Sequence, residues 1–198
     1  MKIQMEISHR QHPSIHIGQI EYSHIEVGES PQMLKGRLRL FQESLFFDYE
    51  DQALEKEPAI KEWTDLLENV PFLPLLTGIQ KEQFIDSTNS VQDLSTFFSL
   101  KYFLPILTLD ADCLKSPLFL KRTDSGHAEW RDESGLNGLF SQAGKAHISQ
   151  DTKNILQLVL FPPSISREKS EALLQSLTKM FVQIHGGESK FELIEKAL

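Results

Sequence analysis

The spacing of hydrophobic positions changes several times along the chain, most sharply between residues 90 and 110. From Ser90, its expected cap, to Tyr102, apolar residues recur three or four positions apart, which predicts a helix with one buried face. Asp93 and Lys101 fall on the other side of this helix. Pro105 ends it, because proline has no N–H to donate and its ring clashes with the preceding turn. The apolar residues that follow predict a loop or strand.

The N-terminal half predicts strands followed by helices. Residues 14–27 largely alternate between apolar and polar, which predicts one long or two short strands. The period slips at Gly18, which indicates a bulge or the close approach of another backbone. Helices are predicted from Ser30-Pro31 to about residue 50 and again from Pro58, since proline favours the first helical position. A further short helix is expected over residues 80–86.

The C-terminal half predicts a hairpin, a buried strand and a long helix. Residues 117–130 form two short alternating runs around a Ser-Gly turn, which is typical of a hairpin. Asn154–Phe161 is the most hydrophobic run of strand length and is predicted to be buried on both faces. Ser166 is the expected cap of the long helix, and Lys190–Ile194 can add a last strand. This order of elements predicts an α+β domain with helices segregated on a sheet.

Composition and charge limit the classes of function. The chain has 198 residues, which suggests one large domain or a domain with an elaborate cap. We expect a single domain over 1–198, with the N-terminal strands and a helical cap in 1–89 and the core motif region in 90–198. The net charge is −8 and no dense Lys/Arg block exists, which argues against an autonomous high-affinity RNA binder. No apolar run approaches the length of about 18 residues that a membrane span needs. The polar N-terminus and the single cysteine favour a cytoplasmic protein without an intrachain disulfide.

Motifs of known chemistry are missing. The sequence contains no P-loop, GxGxxG, HExxH, GxSxG or CxxC pattern, so no metal or cofactor is expected. His9 and His12 are spaced three apart in the N-terminal segment, but a metal site there is disfavoured. Asp110 and Asp112 are near enough to bind a cation or act as acid and base. A turn is the favoured interpretation of these aspartates, because the glycine and further oxygen ligands of a calcium loop are missing.

Two stretches resemble a known family. Ser99–Ile106, SLKYFLPI, resembles the helix-to-strand junction of the B3/B4 domain, which occurs in the beta subunit of bacterial phenylalanyl-tRNA synthetase and in stand-alone proteins. Asp110 follows at the spacing of that family's aspartate segment, and Ser149–Phe161 is similar to its Thr-Lys-Asn segment and last buried strand. The resemblance covers essentially the whole chain. It implies a B3/B4-like fold, in which helices pack on a mixed β-sheet beneath a helical N-terminal cap.

The resemblance also implies a function. The synthetase domain hydrolyses tyrosine wrongly esterified to the phenylalanine tRNA, in a pocket between sheet and helices. Leu107 stands where the synthetase has a histidine, so binding is expected to survive more readily than hydrolysis. The candidate pocket residues nearest the two matched stretches are Phe97, Lys101, Leu107, Leu109, Asp110, Thr152, Lys153 and Asn154.

Three functions remain open at this point. The first is a module that binds a tRNA 3′ end, an aminoacyl group or a small amino-acid-like ligand. The second is an enzyme, a trans-editing deacylase that hydrolyses aminoacyl-tRNA esters. The third is a small-molecule or protein-binding module without an RNA function. The acidic net charge and Leu107 favour the first or the third.

Overall fold

A computed structural model describes residues 1–6 and 15–194 of the chain; His9 and His12 lie outside these ranges. Five helices and eight strands lie within them. The helices are α1 (Gln32–Tyr49), α2 (Pro58–Leu66), α3 (Leu73–Ile79), α4 (Ser90–Tyr102) and α5 (Arg167–His185). The strands are β1 (Ile3–Glu6), β2 (His16–Ser23), β3 (Ile106–Asp110), β4 (Leu118–Arg122), β5 (Ala128–Asp132), β6 (Asn137–Leu139), β7 (Ile155–Phe161) and β8 (Glu188–Ile194).

The strands form two sheets of four. One sheet has the order β3-β7-β2-β8 and is antiparallel throughout. The other has the order β1-β4-β5-β6 and is mixed, because β1 runs parallel to β4. The predicted α+β class is therefore confirmed, but the single expected sheet is two. The difference arises because the predicted hairpin, β4 and β5, pairs with β1 and β6 and with no strand of the antiparallel sheet. Local periodicity predicts strands but not which strands pair.

The most hydrophobic run is a central strand of the antiparallel sheet. All seven residues of β7 are buried, and β3 and β2 pair with its two edges. The prediction of a strand buried on both faces is confirmed. Its single polar residue, Gln157, has no exposed surface.

The helix-to-strand junction after α4 is fixed by hydrogen bonds. Phe103 takes a left-handed conformation with φ of 51°, and the Leu104 N–H donates to the Ser99 carbonyl at 3.1 Å. The Ser99 hydroxyl donates to the Leu104 carbonyl at 2.7 Å, and the Trp63 indole donates to the Phe103 carbonyl at 2.6 Å. The helix thus ends before Pro105, as predicted, and leads directly into β3.

The start of α4 differs from the prediction. Asn89, and not Ser90, is the cap, because its side-chain oxygen accepts hydrogen bonds from the N–H groups of Val91 and Gln92. Asp93 was expected on the outer side of the helix but is 2% exposed. Hydroxyls of Ser30 and Ser87 each donate to its carboxylate at 2.5 Å. These donors offset the cost of burying the carboxylate and connect the start of α4 to the start of α1.

Two further predictions fail for identifiable reasons. Neither a bulge nor the close approach of another backbone occurs at Gly18, because β2 keeps a continuous register with β7 and β8 and the nearest atoms are those of side chains. A Cβ at Gly18 would lie 2.4 Å from the side chain of Leu174, so the glycine makes room for helix α5 against the sheet. Residues 80–86 form no helix. The side chain of Gln42 instead bonds both backbone groups of Ile85, accepting from its N–H at 2.6 Å and donating to its carbonyl at 3.2 Å.

No helix within the described residues is long and apolar enough to cross a membrane.

Gly187→Ala should strongly destabilise the protein. Gly187 has a φ of +73°, and a Cβ there would lie 2.3 Å from the Ser23 carbonyl oxygen, which belongs to rigid backbone. Gly28→Ala is the matched control, since nothing lies within 4 Å of its Cβ position. Urea unfolding should show a loss of about 2 kcal/mol or more for the first variant and little change for the second. Equal stability of the two variants would contradict the close approach.

Acidification should destabilise the fold through His185. Burial lowers the pKa of His185, whose Nδ1 lies 2.8 Å from the Phe181 carbonyl oxygen and donates to it in the neutral form. The unfolded chain therefore takes up a proton more readily, and stability falls as the pH drops through the ordinary histidine pKa of about 6.5. The free energy of unfolding would be measured above and below that pH. Its loss on acidification should be larger for the wild type than for His185→Gln. Equal losses would contradict this role.

Candidate functional site

A buried polar network joins the central strand β7 to α4, β3 and β2. The amide nitrogen of Gln157 donates to the Ser95 hydroxyl at 3.0 Å and to the Thr108 hydroxyl at 3.1 Å. Its amide oxygen accepts from the Tyr22 hydroxyl at 3.2 Å. We call these four residues the glutamine network. Each of them is buried, so the hydrogen bonds are required to offset the loss of water.

The donors of the network can be assigned. The Ser95 hydroxyl donates to the Val91 carbonyl at 2.8 Å, so the proton between Ser95 and Thr108, 3.2 Å apart, comes from Thr108. Ser95 then accepts two hydrogen bonds and is saturated. Among the described residues Thr108 accepts only from Gln157, so one of its lone pairs has no donor there. The network thus presents one unused acceptor.

Tyr22 is held as a neutral donor. Burial raises the pKa of its phenol well above the ordinary value, so the hydroxyl stays protonated. The ring stacks on Phe181 of α5 with centroids 3.8 Å apart. The Tyr22 hydroxyl therefore fixes the side on which the oxygen of the Gln157 amide lies. The amide nitrogen then faces the hydroxyls of Ser95 and Thr108 and orients them.

The two hydroxyls line a cavity of about 290 Å³ between α4 and β3, which we call the hydroxyl cavity. The hydroxyl cavity is lined by Pro71, Leu75, Gln92, Ser95, Thr96, Ser99, Ile106, Leu107, Thr108, Ser141 and Ala143. None of these side chains is charged. The cavity combines apolar side chains with a similar number of neutral polar ones, so its lining is more polar than that of most small-molecule sites.

A larger groove adjoins the hydroxyl cavity, and a second groove adjoins the first. The loop groove, of about 650 Å³, shares Pro71 and Ser141 with it. The sheet groove, of about 640 Å³, lies along β4, β5 and β6 and shares Leu139 and Gln142 with the loop groove. The segment 139–143 therefore borders all three spaces.

The predicted pocket residues are distributed over several places. Leu107 lines the hydroxyl cavity. Phe97 and Lys101 lie at another part of α4, where Phe97 packs edge-on against Phe41 of α1 and the Lys101 ammonium lies 5.6 Å from the Phe97 ring centroid. Leu109 is fully buried in the core.

The remaining predicted residues meet at the far end of β3. The Thr152 hydroxyl donates to the Asp110 carboxylate at 2.6 Å, and the Asn154 amide donates to the Asp112 carboxylate at 2.9 and 3.0 Å. Asp110 also accepts from the Asp112 N–H at 3.0 Å, which gives the predicted turn. The two matched sequence stretches are therefore adjacent in space. Their polar groups hydrogen-bond to one another, which is typical of a structural contact.

Lys153 and Asn154 fall outside the hydroxyl cavity. Lys153 is exposed, and its carbonyl accepts from the Ile25 N–H at 3.0 Å. Asn154 lines a separate cavity of about 370 Å³, together with residues of β2 and β8.

Neither a reactive thiol nor a metal cluster is apparent in the described residues. Partial burial raises the pKa of Cys113, and the carboxylates of Asp110 and Asp112 raise it further, which disfavours the thiolate. Across residues 1–6 and 15–194, no group of three or more His, Cys, Asp or Glu side chains is placed to hold a metal ion.

Sequence reasoning missed Ser95, Thr108 and Gln157. Ser95 lies among other polar residues of α4, but Thr108 and Gln157 are each a single polar residue at a core position of an apolar run. That pattern is a usable signal, because an isolated polar residue in the core needs a partner. The signal does not say which partners will meet, since Ser95 and Gln157 are 62 positions apart.

Comparison with known proteins places the chain beside one relative. No protein-family model matches it. It is 46% identical over 187 residues to the uncharacterized protein YhzB of Bacillus subtilis (strain 168), a match that covers 87% of this chain and 89% of that protein. The chain therefore belongs to the same family as YhzB.

Proposed function

We propose that the protein is a B3/B4-type binding module whose hydroxyl cavity takes an amino-acid-like ligand or the aminoacyl group at a tRNA 3′ end. The observation that carries the proposal is that Thr108, whose hydroxyl is held by the glutamine network, lines a small cavity without charged side chains. The resemblance of Ser99–Ile106 to the B3/B4 junction supports it, because that junction is the segment that brings α4 and β3 together around the cavity.

The chemistry of the cavity favours a ligand that carries a hydroxyl donor. A phenol or alcohol can donate to Thr108 while its apolar body lies against Leu75 and Leu107. A ligand without the hydroxyl leaves the Thr108 acceptor buried and unpaired, which costs about 1–3 kcal/mol. Tyrosine derivatives should therefore bind more tightly than the matching phenylalanine derivatives.

The sheet groove is a suitable place for nucleotides next to a bound aminoacyl group. In it, the Arg131 guanidinium lies 4.6 Å from the Phe119 ring centroid, and Lys121 lies on the same strand as Phe119. Aromatic rings and cations of this kind can stack with bases and attract phosphates. The net charge of −8 opposes this attraction, so we expect weak and salt-sensitive RNA binding.

The cavity supports binding more than ester hydrolysis. Hydrolysis of an aminoacyl ester needs a group that activates water, and none of the side chains lining the hydroxyl cavity titrates near neutral pH. Leu107, at the position of the synthetase histidine, contributes an apolar wall. The Ser95 hydroxyl donates its proton to the Val91 carbonyl and has no neighbouring base among its hydrogen-bond partners.

Ligand titrations monitored by protein NMR test the proposal. Tyrosinamide and phenylalaninamide mimic the two aminoacyl groups and differ by one hydroxyl. We expect tyrosinamide to shift amide signals of α4 and β3 and to bind at least about tenfold more tightly than phenylalaninamide. Thr96→Leu should abolish binding, because Thr96 lines the cavity and the larger side chain fills it.

Thr64→Leu serves as the control variant, since Thr64 is an exposed helical threonine outside the cavity. It should bind tyrosinamide like the wild type. The absence of shifts with either amide, or shifts that persist in Thr96→Leu, would overturn the proposal.

A deacylation assay distinguishes binding from editing. The phenylalanine tRNA esterified with tyrosine would be incubated with the protein. We expect the ester to be lost at the same rate as without the protein. An acceleration that Thr96→Leu removes would show that the cavity belongs to an editing enzyme.

A further inference from the structure

Helix α1 carries an exposed apolar stripe. Met33, Leu40 and Phe47 are 62%, 67% and 70% exposed, although the opposite side of the helix packs into the core. Consecutive members are seven residues apart, which is close to two helical turns, so the three side chains form one line about 21 Å long. Large exposed apolar residues scattered singly need no explanation, but an aligned set marks an interaction surface.

The charges of α1 are arranged against its own dipole. Lys35, Arg37 and Arg39 lie in the first half, and Glu43 and Asp48 in the second. The first turn has no acidic residue and the last turn has no basic one. A helix dipole favours the reverse arrangement, so the charge pattern of α1 costs stability in an isolated helix. A neighbouring helix that runs in the opposite direction would offset that cost.

The stripe and the charges share one centre, Leu40. Met33 and Phe47 lie seven positions to either side of it, and Arg37 and Glu43 lie three to either side. The small residues Gly36 and Ser44 lie four to either side, where two helices need room to approach. A two-fold axis beside Leu40 would therefore place each group opposite its complement.

We propose that α1 is the interface of a homodimer, in which the α1 helices of two copies pack antiparallel about a two-fold axis at Leu40. Leu40 meets Leu40 of the second copy, Met33 meets Phe47, and Arg37 meets Glu43 twice. Arg37 is exposed and forms no ion pair with another described residue, so it is available for this contact. Glu43 already lies 3.0 Å from Arg39 Nε of its own helix and would take Arg37 as a second partner. The proposal rests on α1 alone and is independent of any ligand in the hydroxyl cavity.

A second copy fits the stripe better than a lipid surface does. A membrane-bound amphipathic helix carries Lys and Arg on its polar face, whereas the second half of α1 is acidic and would be repelled by anionic lipids. The opposed charges of the two halves match an antiparallel copy of the same helix. Interfaces below about 1,200 Å² are typical of weak complexes, and a single helix pair is of this size, so we expect a micromolar dissociation constant.

Sedimentation velocity over a range from micromolar to near-millimolar protein tests the dimer. The wild type should pass from monomer to dimer across this range. Leu40→Asp should remain monomeric, because it places two carboxylates at the axis, and it should fold normally since Leu40 is exposed. Gln175→Asp adds the same charge to an exposed position of α5 and should dimerise like the wild type.

Charge exchange tests the antiparallel register. Arg37→Glu places glutamates opposite glutamates in its own homodimer, and Glu43→Arg places arginines opposite arginines. Each variant alone should dimerise at least about tenfold more weakly than the wild type. An equimolar mixture should recover a dimer, because both contacts then join an arginine to a glutamate.

Three results would overturn the proposal. The first is a wild type that stays monomeric at every concentration. The second is a dimer that Leu40→Asp does not weaken, which would place the interface elsewhere. The third is a mixture of Arg37→Glu and Glu43→Arg that stays monomeric, which would exclude this pairing of the two helices.

Discussion

The amide of Gln157 is the constraint on which the centre of the structure depends. It lies fully buried in a strand whose other residues are apolar, so each of its polar atoms requires a partner within the protein. The partners come from three different elements, with Tyr22 on β2, Thr108 on β3 and Ser95 on α4. The hydrogen bonds of one buried side chain therefore join three strands and the helix beside them.

The same constraint creates the candidate site. Because Ser95 and Thr108 are oriented by Gln157, their hydroxyls face one another beside a cavity that α4 and β3 leave between them. The junction at Phe103–Pro105 sets the distance between helix and strand through the hydrogen bonds of Ser99 and Trp63. The packing of α4 against β3, the pairing of the buried polar groups and the hydroxyl cavity thus all follow from the way α4 and β3 meet at Gln157.

Much of the fold follows from local sequence, whereas the site does not. The helix starts at Pro58 and Ser166 and the buried strand at Asn154–Phe161 follow from capping and periodicity, which act over a few residues. The separation into two sheets was missed because periodicity predicts strands and not their partners, and the predicted hairpin pairs with β1 and β6 only. Asp93 and Gln157 were missed as organising residues because their partners are distant in sequence and only the folded chain brings them together. The resemblance to the B3/B4 domain identified segments that meet, but Thr152 bonds to Asp110 and Asn154 bonds to Asp112, all of them outside the hydroxyl cavity.

A double-mutant cycle on Gln157 and Thr108 tests the central role of this amide most directly. The unfolding free energies of the wild type, Gln157→Leu, Thr108→Val and the double variant would be measured in urea. Each single change should cost about 1–3 kcal/mol, because it leaves a buried polar group without its partner. The double variant should lose at least about 1 kcal/mol less than the sum of the two, since the same interaction is removed only once. Additive losses would contradict the account, because they would mean that the two side chains contribute independently.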